Sequence, residues 1–353
     1  MILVVNAGSS SIKVALFKPD LTEIMKGQVS GIGGSLAHIE LGTDDKNIAA
    51  PDHDVALKAI LASLGAQGIK TEDLNAAAHR VVHGGTSLVQ PCRITEDVIE
   101  GIEAATPLAP LHNPNNLAGI HALQSLAPEL PQYASFGTAF HATNPDVAST
   151  YAIPKKDRDM GIRRYGFHGL SYAWIVTQFE DKLPDRLLAF HLGSGASLCA
   201  IHNGKSVATS MGYSPLDGLT MGTRSGAIDG MAVLRMAEIH GADEASRRLN
   251  KDSGLKGLGG ANDMRLLLAA DTEQAKFAVD HFCYWAARHA GSAIVAMGGV
   301  DAVAFTGGIG ENSSEIRERI MAHLAFLGDI PVHVVNADEE RQIALDAATL
   351  GAA

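Results

Sequence analysis

The first 17 residues, MILVVNAGSSSIKVALF, place two apolar runs on either side of a short polar segment. Val, Ile and Leu around a tight Gly/Ser stretch predict a strand, a turn and an antiparallel strand. A bare hairpin turn needs about two to five residues, whereas residues 6–11 add three serine hydroxyls and Lys13 adds a cation. This chemistry suits a phosphate. The segment is therefore either a plain turn or a phosphate-binding loop.

A second segment with the same pattern occupies residues 187–207, LLAFHLGSGASLCAIHNGKSV. An apolar run enters the turn at 193–197 and leaves through another apolar run to a polar turn at 202–204. Recurrence of a supersecondary unit this far along the chain predicts two similar halves. Two glycine-rich hairpins from opposite halves could hold one polyphosphate between them.

A third glycine-rich element lies at residues 301–320, DAVAFTGGIGENSSEIRERI. The pattern predicts a strand that ends at a glycine loop over 307–312, followed by a helix that starts near Ser313 or Ser314. Small residues at a helix N-terminus allow an anionic group to approach the backbone closely. The motif GxxxxGK[ST] and a strand followed by GxGxxG are both absent, which disfavours the two common nucleotide-binding folds.

Three stretches have the periodicity of amphipathic helices: residues 53–67, 272–298 and 335–350. In the second of these, Phe277, Phe282 and Trp285 belong to a stripe that predicts a packed helix face. Strands that alternate with helices predict an α/β architecture.

Length and charge restrict the class of protein. The chain has 353 residues, which is too long for one ordinary core and predicts two domains. A formal charge of −11 disfavours nucleic acid as a partner, and no apolar stretch has the length of a membrane span. Cys92, Cys199 and Cys283 are scattered in sequence, which predicts small buried residues in a reducing compartment such as the cytoplasm.

Five further segments are dense in His, Arg, Gly and Pro: HRVVHGG (79–85), PLAPLHNPNN (107–116), SFGTAFH (135–141), RRYGFHGLSY (163–172) and SMGYSPLDGLTMGTRSGAIDG (210–230). Together with the three glycine loops they resemble the acetokinase family, in the family's order, from NAGSSSIK at 6–13 to DEERQIA at 338–344. The resemblance implies duplicated actin-like (ribonuclease H-like) domains with a nucleotide cleft between them. An N-terminal domain for the acyl substrate and phosphate would span 1–141 plus 341–353, and a nucleotide-binding domain would span 142–340.

The resemblance also implies an activity, which is reversible in-line phosphoryl transfer from ATP to acetate, giving acetyl phosphate and ADP. Propionate or another short-chain acid is the alternative acceptor. The family further implies Mg²⁺, with Mn²⁺ as an alternative, and a homodimer.

Such a reaction must bring one anion against another. At about 4 Å and an effective dielectric constant near 20, each unit pair of charges repels by roughly 4 kcal/mol, so fixed cations are needed. Arg80 and Arg224 are candidates because guanidinium groups offer paired donors to oxyanions, although each could form an ordinary ion pair. Both match the family's transition-state arginines. His168, in Tyr-Gly-Phe-His-Gly, matches the histidine that stabilises the transferring phosphoryl group, although a lone histidine is more often structural.

The remaining site residues fall into three groups. Arg80, Val82, Leu111, Phe167 and Pro215 correspond to the acetate pocket, although each apolar member could equally be core. Ser9, Ser11 and Lys13 are expected to contact phosphate. The resemblance assigns further phosphate contacts to His191, Leu192, Gly193, Ser194 and Gly195, and nucleoside contacts to Asp263, Met264, Arg265, Gly307, Gly308, Ile309, Gly310 and Glu311.

The resemblance also implies a metal site at Asn6 and Glu339, which correspond to positions that hold Mg²⁺ in the family, and their oxygen atoms suit that ion. Glu339 lies between two other acidic residues, so a solvated acidic helix start is the alternative interpretation of this position.

One catalytic position departs from the family. SFGTAFH matches the family's FDTAFH run except at Gly137, where the family has an aspartate. Removal of one preorganised electrostatic group typically lowers the rate by about 10²- to 10³-fold. The sequence therefore predicts nucleotide binding with slow turnover, and a nucleotide-binding switch of the same fold is the rival function. A hydrolase is disfavoured because G-x-S-x-G is absent.

Overall fold

The computed structural model describes residues 1–352. Contacts within the chain group into two compact units. The first unit comprises Met1–Phe140 together with the C-terminal residues from Asp338, and the second comprises His141–Ala337. Each unit is built around one β-sheet.

The strands are β1 (Ile2–Ala7), β2 (Ser11–Phe17), β3 (Glu23–Ser30), β4 (Ala37–Leu41), β5 (Asp44–Ile48), β6 (Ala76–Val81), β7 (Cys92–Arg93), β8 (Gln132–Phe136), β9 (Arg186–Leu192), β10 (Ala196–His202), β11 (Lys205–Thr209), β12 (Ala302–Thr306) and β13 (Val332–Val334). The α-helices are α1 (His53–Ala66), α2 (Glu96–Ala104), α3 (Asn113–Leu126), α4 (Asp146–Ser149), α5 (Lys155–Arg158), α6 (Gly169–Phe179), α7 (Gly230–His240), α8 (Ala242–Lys251), α9 (Gly254–Gly259), α10 (Met264–Ala269), α11 (Glu273–Met297), α12 (Gly307–Asn312), α13 (Ser314–His323) and α14 (Glu339–Ala347). Short 3₁₀ turns span Thr71–Asp73, Thr106–Leu108, Ala139–Thr143, Glu180–Lys182 and Ala325–Leu327, and a π turn spans Ala348–Ala352.

The two sheets share one topology. The first has the strand order β5-β4-β3-β2-β1-β6-β8-β7, and the second has the order β11-β10-β9-β12-β13. In both, a three-stranded antiparallel meander (β1–β3, β9–β11) is continued by two strands parallel to its first strand, β6 and β8 or β12 and β13. This repeat confirms the duplicated α/β fold expected from the two glycine hairpins.

The central strands are continuous apolar runs because both faces of each sheet are covered. In the first unit, α3 and α14 pack on β1 and β6, and in the second unit α6 and α11 pack on β9. All five residues of β12 are buried. Several predicted site residues, among them Asn6, Arg80 and His191, lie near the carboxyl ends of these strands.

The predicted helices are present, with corrections at their edges. The 53–67 helix is α1, and the 272–298 helix is α11, which Thr272 caps and which ends before Gly298 at φ +73°. The stripe predicted on α11 is wrong at Phe277, which is 58% exposed. The buried face runs through Phe282 and its neighbours at four-residue steps, and a shift of one residue turns a side chain by about 100° from that face.

The third predicted helix, 335–350, begins later than expected, at Glu339. The Asp338 side chain caps it by accepting a hydrogen bond from the Arg341 amide. The preceding Val335 donates its amide to the Phe305 carbonyl instead, and so extends the pairing beside β12.

The glycine loop after β12 also differs from the prediction. A helix begins at Ser314 with Ser313 as its cap, as expected, but residues 307–312 form the short helix α12 rather than an irregular loop. Gly307 makes this turn at φ +78°, and a Cβ atom there would lie 2.8 Å from the Leu192 carbonyl oxygen. Only glycine fits this close approach of β12 to β9.

The three cysteines are free thiols. Cys199 and Cys283 are buried as predicted, whereas Cys92, on the short edge strand β7, is only half-buried. Within residues 1–352, none of the helices has the length and hydropathy that crossing a membrane requires.

Candidate active site

In the β1–β2 turn, three backbone carbonyls accept hydrogen bonds, and two backbone amides have no acceptor among the described residues. Its Gly8 amide donates to the Ser11 carbonyl (2.8 Å), while His53 Nε2 donates to the Gly8 carbonyl (2.7 Å). The Ile32 amide donates to the Ser10 carbonyl (3.0 Å). The amides of the two serines after Gly8 donate to no acceptor among the described residues. Adjacent open amides in a turn are donors that an anion can use, so the turn is compatible with a phosphate-binding loop, and that role stays a prediction.

Polar side chains flank this loop. Asn6 lies opposite Lys13 in the β1–β2 register, so both point to the same face. Ser9 and Lys13 are exposed, and Ser11 is half-buried. The sequence did not predict His53, which lies at the start of α1, 45 residues from Gly8. No local pattern marks it.

The carboxyl ends of the parallel strands β1, β6 and β8 meet at one edge of the first sheet. Arg80, near the end of β6, donates from Nε to Glu339 Oε2 at 3.1 Å, and both side chains are about one-fifth exposed. Glu339 is the first residue of α14. Glu339 is therefore more than a solvated acidic residue at the start of a helix, because its carboxylate pairs with the guanidinium of Arg80, a predicted catalytic residue.

Two buried asparagines, not singled out from the sequence, hold this edge together. Asn116 accepts a hydrogen bond from the Val82 amide (3.0 Å) and donates to the Ala7 carbonyl (2.8 Å). Asn113 accepts from the His83 amide (3.2 Å) and donates to the same residue's carbonyl (3.0 Å). The HNPNN run at the start of α3 was the only sequence signal. These amides fix the backbone that follows β1 and β6.

Gly137 directly follows β8 at this edge and is buried. Its amide donates to the Val81 carbonyl at 2.9 Å. A Cβ atom at this position would lie 3.0 Å from the Val82 carbonyl oxygen, so a side chain requires a shift of a few tenths of an ångström. A larger residue at position 137 would therefore press against the Val82 carbonyl and move the two strand ends slightly apart.

The predicted acetate-pocket residues lie in both units. In the first unit, Val82 is half-buried at the sheet edge, while Leu111, just before α3, is 71% exposed. In the second unit, Phe167 is buried and Pro215 is half-buried. Their joint role as a pocket stays a prediction.

In the second unit, His168 and Arg224 meet at the glycine loop between β9 and β10. A Cβ atom on Gly195 would lie 3.2 Å from His168 Nε2 and 3.8 Å from Arg224 Nη1. The loop closes on itself through the Gly193 amide and the Gly195 carbonyl (2.9 Å). The His191 ring stacks on His168 with centroids 4.1 Å apart. Three separately predicted motifs therefore converge on one point.

Arg224 has no carboxylate within ion-pair distance among residues 1–352. Its Nη1 donates to the Pro215 carbonyl at 3.4 Å. Burial lowers the pKa of this guanidinium, although an arginine stays charged at neutral pH. A half-buried cation that lacks a counterion attracts an anion, and the ordinary ion-pair interpretation does not apply here.

Beside the glycine loop lies a cavity of about 630 Å³, within the range of small-molecule and cofactor pockets. Its lining contains predicted nucleotide residues from all three segments, namely Gly193, Ser194, Asp263, Met264, Arg265, Gly308 and Ile309. Asn262, Leu268, Asn312 and Ser313 also line it and were not predicted.

The other predicted nucleotide residues do not line this cavity. Leu192 is buried in β9 and Gly310 is buried in α12. Glu311 Oε1 accepts hydrogen bonds from the amides of Gly307 and Ala337, both at 2.9 Å, so it clasps the backbone. Within the cavity wall, hydrogen bonds from Arg265 lower the pKa of Asp263 to about 2. Asp263 also caps α10.

The oxygen donors predicted for a metal are sparse. Within residues 1–352, no group of three or more His, Cys, Asp or Glu side chains could hold a metal ion. Neither the Asn6 amide oxygen nor Glu339 Oε1 has a hydrogen-bond partner among the described residues. Two hard oxygen donors fit Mg²⁺ only where water and phosphate oxygens complete the shell.

Comparison with known proteins gives concordant matches. A model of the acetokinase family matches residues 1–348. The acetate kinase of Nitrobacter hamburgensis is 42% identical over 97% of this chain and 94% of that protein, and the acetate kinase of Streptomyces coelicolor is 43% identical over 97% and 90%. The crystal structure of Porphyromonas gingivalis acetate kinase matches with a TM-score of 0.93 at 34% identity, covering 99% of both chains. A propionate kinase from Francisella tularensis also has a TM-score of 0.93, at 35% identity and 98% coverage of both.

Proposed function

Because this chain belongs to the acetokinase family, we propose that it transfers the γ-phosphoryl group of ATP to acetate, giving acetyl phosphate and ADP. The observation that carries the proposal is the convergence of Arg224, His168 and the Gly193–Gly195 loop beside a cavity large enough for a nucleotide. Phosphoryl transfer needs positioning and charge more than covalent help from the protein, and these groups supply both.

Each predicted site residue is assigned to the charged group of a substrate that it would contact. The second unit's loop amides are assigned to the polyphosphate, as are the open amides after Gly8. Arg224 and His168 are assigned to the equatorial oxygens of the transferring group, where charge accumulates. Arg80, held by Glu339, is assigned to the acetate carboxylate, because a guanidinium offsets the repulsion between two anions.

A divalent cation fits the same assignment. Asn6 and Glu339 would hold it, with waters and phosphate oxygens as the other ligands. When bound, the ion neutralises phosphate charge. Mg²⁺ is proposed, with Mn²⁺ as the alternative.

Propionate is the second candidate acceptor, because the structure of a propionate kinase superposes as well as that of an acetate kinase. A coupled assay with ATP, Mg²⁺ and acetate, propionate or butyrate tests both. We expect acetate to give the highest kcat/KM. A higher value for propionate would reassign the substrate, and ATP binding without any acyl phosphate would favour the nucleotide-binding switch.

We further propose a cytoplasmic homodimer. Three free thiols fit a reducing compartment. On α7, Met231, Leu234 and Ile239 are each more than half exposed, which is unusual for an apolar helix face left in water. Light scattering after gel filtration should give twice the mass of the chain, whereas the mass of one chain would contradict the dimer.

His53 allows a test of the first phosphate loop. Loss of its hydrogen bond in His53→Leu is expected to raise the KM for ATP about fivefold, since one hydrogen bond contributes roughly 1 kcal/mol. His53→Gln keeps an N–H donor and should restore part of the affinity. The matched control is His121→Leu, because His121 is an exposed histidine of the same unit whose ring hydrogen-bonds to Gln124. Equal KM values for all variants would show that the loop does not depend on His53.

A further inference from the structure

A neutral histidine carries one ring proton, and the partner of one nitrogen decides which nitrogen holds it. His168 Nδ1 lies 2.8 Å from Ser197 Oγ. The same serine oxygen lies within hydrogen-bond distance of the Tyr172 hydroxyl. Ser197 and Tyr172 are fully buried. The three side chains therefore form one chain of hydrogen bonds inside the second unit.

The number of protons on these three side chains decides which of them donates in each hydrogen bond. Burial raises the pKa of Tyr172 well above its ordinary value, so the phenol keeps its proton at physiological pH. A buried O–H donates a hydrogen bond, and Ser197 Oγ lies within hydrogen-bond distance to accept it. The backbone of His191 also hydrogen-bonds to the Tyr172 hydroxyl, which fits a phenol oxygen that accepts while its proton points to the serine.

Ser197 has a single proton of its own. Because Ser197 accepts from Tyr172, its proton is directed to His168 Nδ1. Nδ1 then accepts, and the ring proton resides on Nε2. Nε2 is the nitrogen that faces the glycine loop, 3.2 Å from where a Cβ of Gly195 would be.

We propose that Tyr172 and Ser197 are positioning residues that hold His168 in the tautomer protonated at Nε2, so that it donates a hydrogen bond to the phosphoryl group. This inference rests on the proposed function. Phosphoryl oxygens only accept hydrogen bonds, so the opposite tautomer would place a lone pair against them. These hydrogen bonds make or break no covalent bond. They only determine which ring nitrogen of His168 holds the proton.

The backbone next to His168 is also fixed by close contacts. His168 adopts a left-handed conformation at φ +57°, which costs energy for a residue other than glycine. His141 Nε2 lies 2.8 Å from the carbonyl oxygen of the preceding residue, Phe167. Gly166 packs against the His141 ring so closely that a Cβ atom would lie 2.6 Å from it. The ring is thus aimed by its surroundings before any ligand binds.

The tautomer can be measured without any catalysis. Nitrogen-15 NMR of the full-length protein, with His168→Gln to assign the signal, distinguishes protonated from unprotonated ring nitrogens. We expect a protonated Nε2 and an unprotonated Nδ1 for His168, at a pH where the ring is neutral. The opposite pattern overturns the proposal whether or not the protein phosphorylates acetate.

Kinetics supplies the second readout. Ser197→Ala is expected to lower kcat by about 10- to 100-fold, as loss of a partner that orients a reacting group does elsewhere, with little change in the KM for ATP. Ser197→Thr keeps the hydroxyl and should recover most of kcat, and Tyr172→Phe should cause a smaller loss in the same direction.

Ser149→Ala and Tyr165→Phe are matched controls, since each removes a hydroxyl of the same unit that hydrogen-bonds elsewhere. An unchanged kcat in Ser197→Ala, with a folded protein by circular dichroism, would refute the positioning role. A wild-type protein that makes no acyl phosphate, yet shows the expected tautomer, would refute the proposed function alone.

Discussion

Replacement of Arg224 by methionine is expected to lower kcat by about 10²- to 10³-fold, because one preorganised charge at the transferring phosphoryl group is lost. The guanidinium lies at the glycine loop beside His168, and no carboxylate of the described chain neutralises it. Its charge is therefore available to a bound anion. The measurement is the steady-state rate of acyl phosphate formation with acetate, ATP and Mg²⁺.

A second variant separates the effect of the positive charge from that of the paired guanidinium donors, and a third serves as a control. Arg224→Lys keeps the charge without the paired donors and should recover only part of the rate. Arg319→Met is the matched control, since Arg319 is a solvent-accessible arginine of the same unit that pairs with Asp280 and Glu315. ADP affinity, measured by calorimetry, should change much less than kcat in Arg224→Met. A full rate in that variant would remove Arg224 from the catalytic assignment.

Introduction of a carboxylate at position 137 is the change with the second large expected effect. Gly137→Asp is expected to raise kcat by about 10²- to 10³-fold, the usual contribution of one preorganised electrostatic group. The position follows β8 at the sheet edge that also bears Arg80 and Asn6. The assay is again acyl phosphate formation, with Gly137→Asp and the wild-type protein compared at saturating substrates.

The structure supplies the controls for this substitution. A Cβ atom at Gly137 would lie 3.0 Å from the Val82 carbonyl oxygen, so any side chain there should lower the midpoint of thermal unfolding. Gly137→Ala carries the same steric cost without a carboxylate, and Gly137→Asn has the shape of aspartate without the charge. A gain in Gly137→Asp that Ala and Asn do not share would assign the effect to the carboxylate. Equal rates in all four proteins would show that the position is not catalytic in this chain.

The outcome also bears on the rival function. A wild-type protein that binds ATP but forms no acyl phosphate, and that gains the reaction in Gly137→Asp, would be a nucleotide-binding switch of the acetokinase fold. A wild-type protein with substantial turnover would show that the charge at Arg80, Arg224 and the metal suffices.

Several features follow from the sequence by itself. One hairpin begins each of the two sheets. Both hairpins could be predicted because apolar runs around Gly/Ser turns specify antiparallel strands locally. Their recurrence predicted the duplication that both sheets display. The ends of α11 were likewise determined locally, by the Thr272 cap and by Gly298. Phe277 could not be placed correctly, because which face of α11 is buried depends on its neighbours in the fold.

Only the tertiary structure decided how the site residues are held. Arg80 and Glu339 are 259 residues apart in sequence, and Asn116 joins two backbone segments that no local motif connects. The proton direction between Tyr172, Ser197 and His168 depends on contacts across 25 and 29 residues. Backbone conformation and hydrophobic periodicity are set by near neighbours in sequence, so they can be read from it. Hydrogen bonds and charges act through space over a few ångströms, and which side chains come that close is known only once the chain has folded.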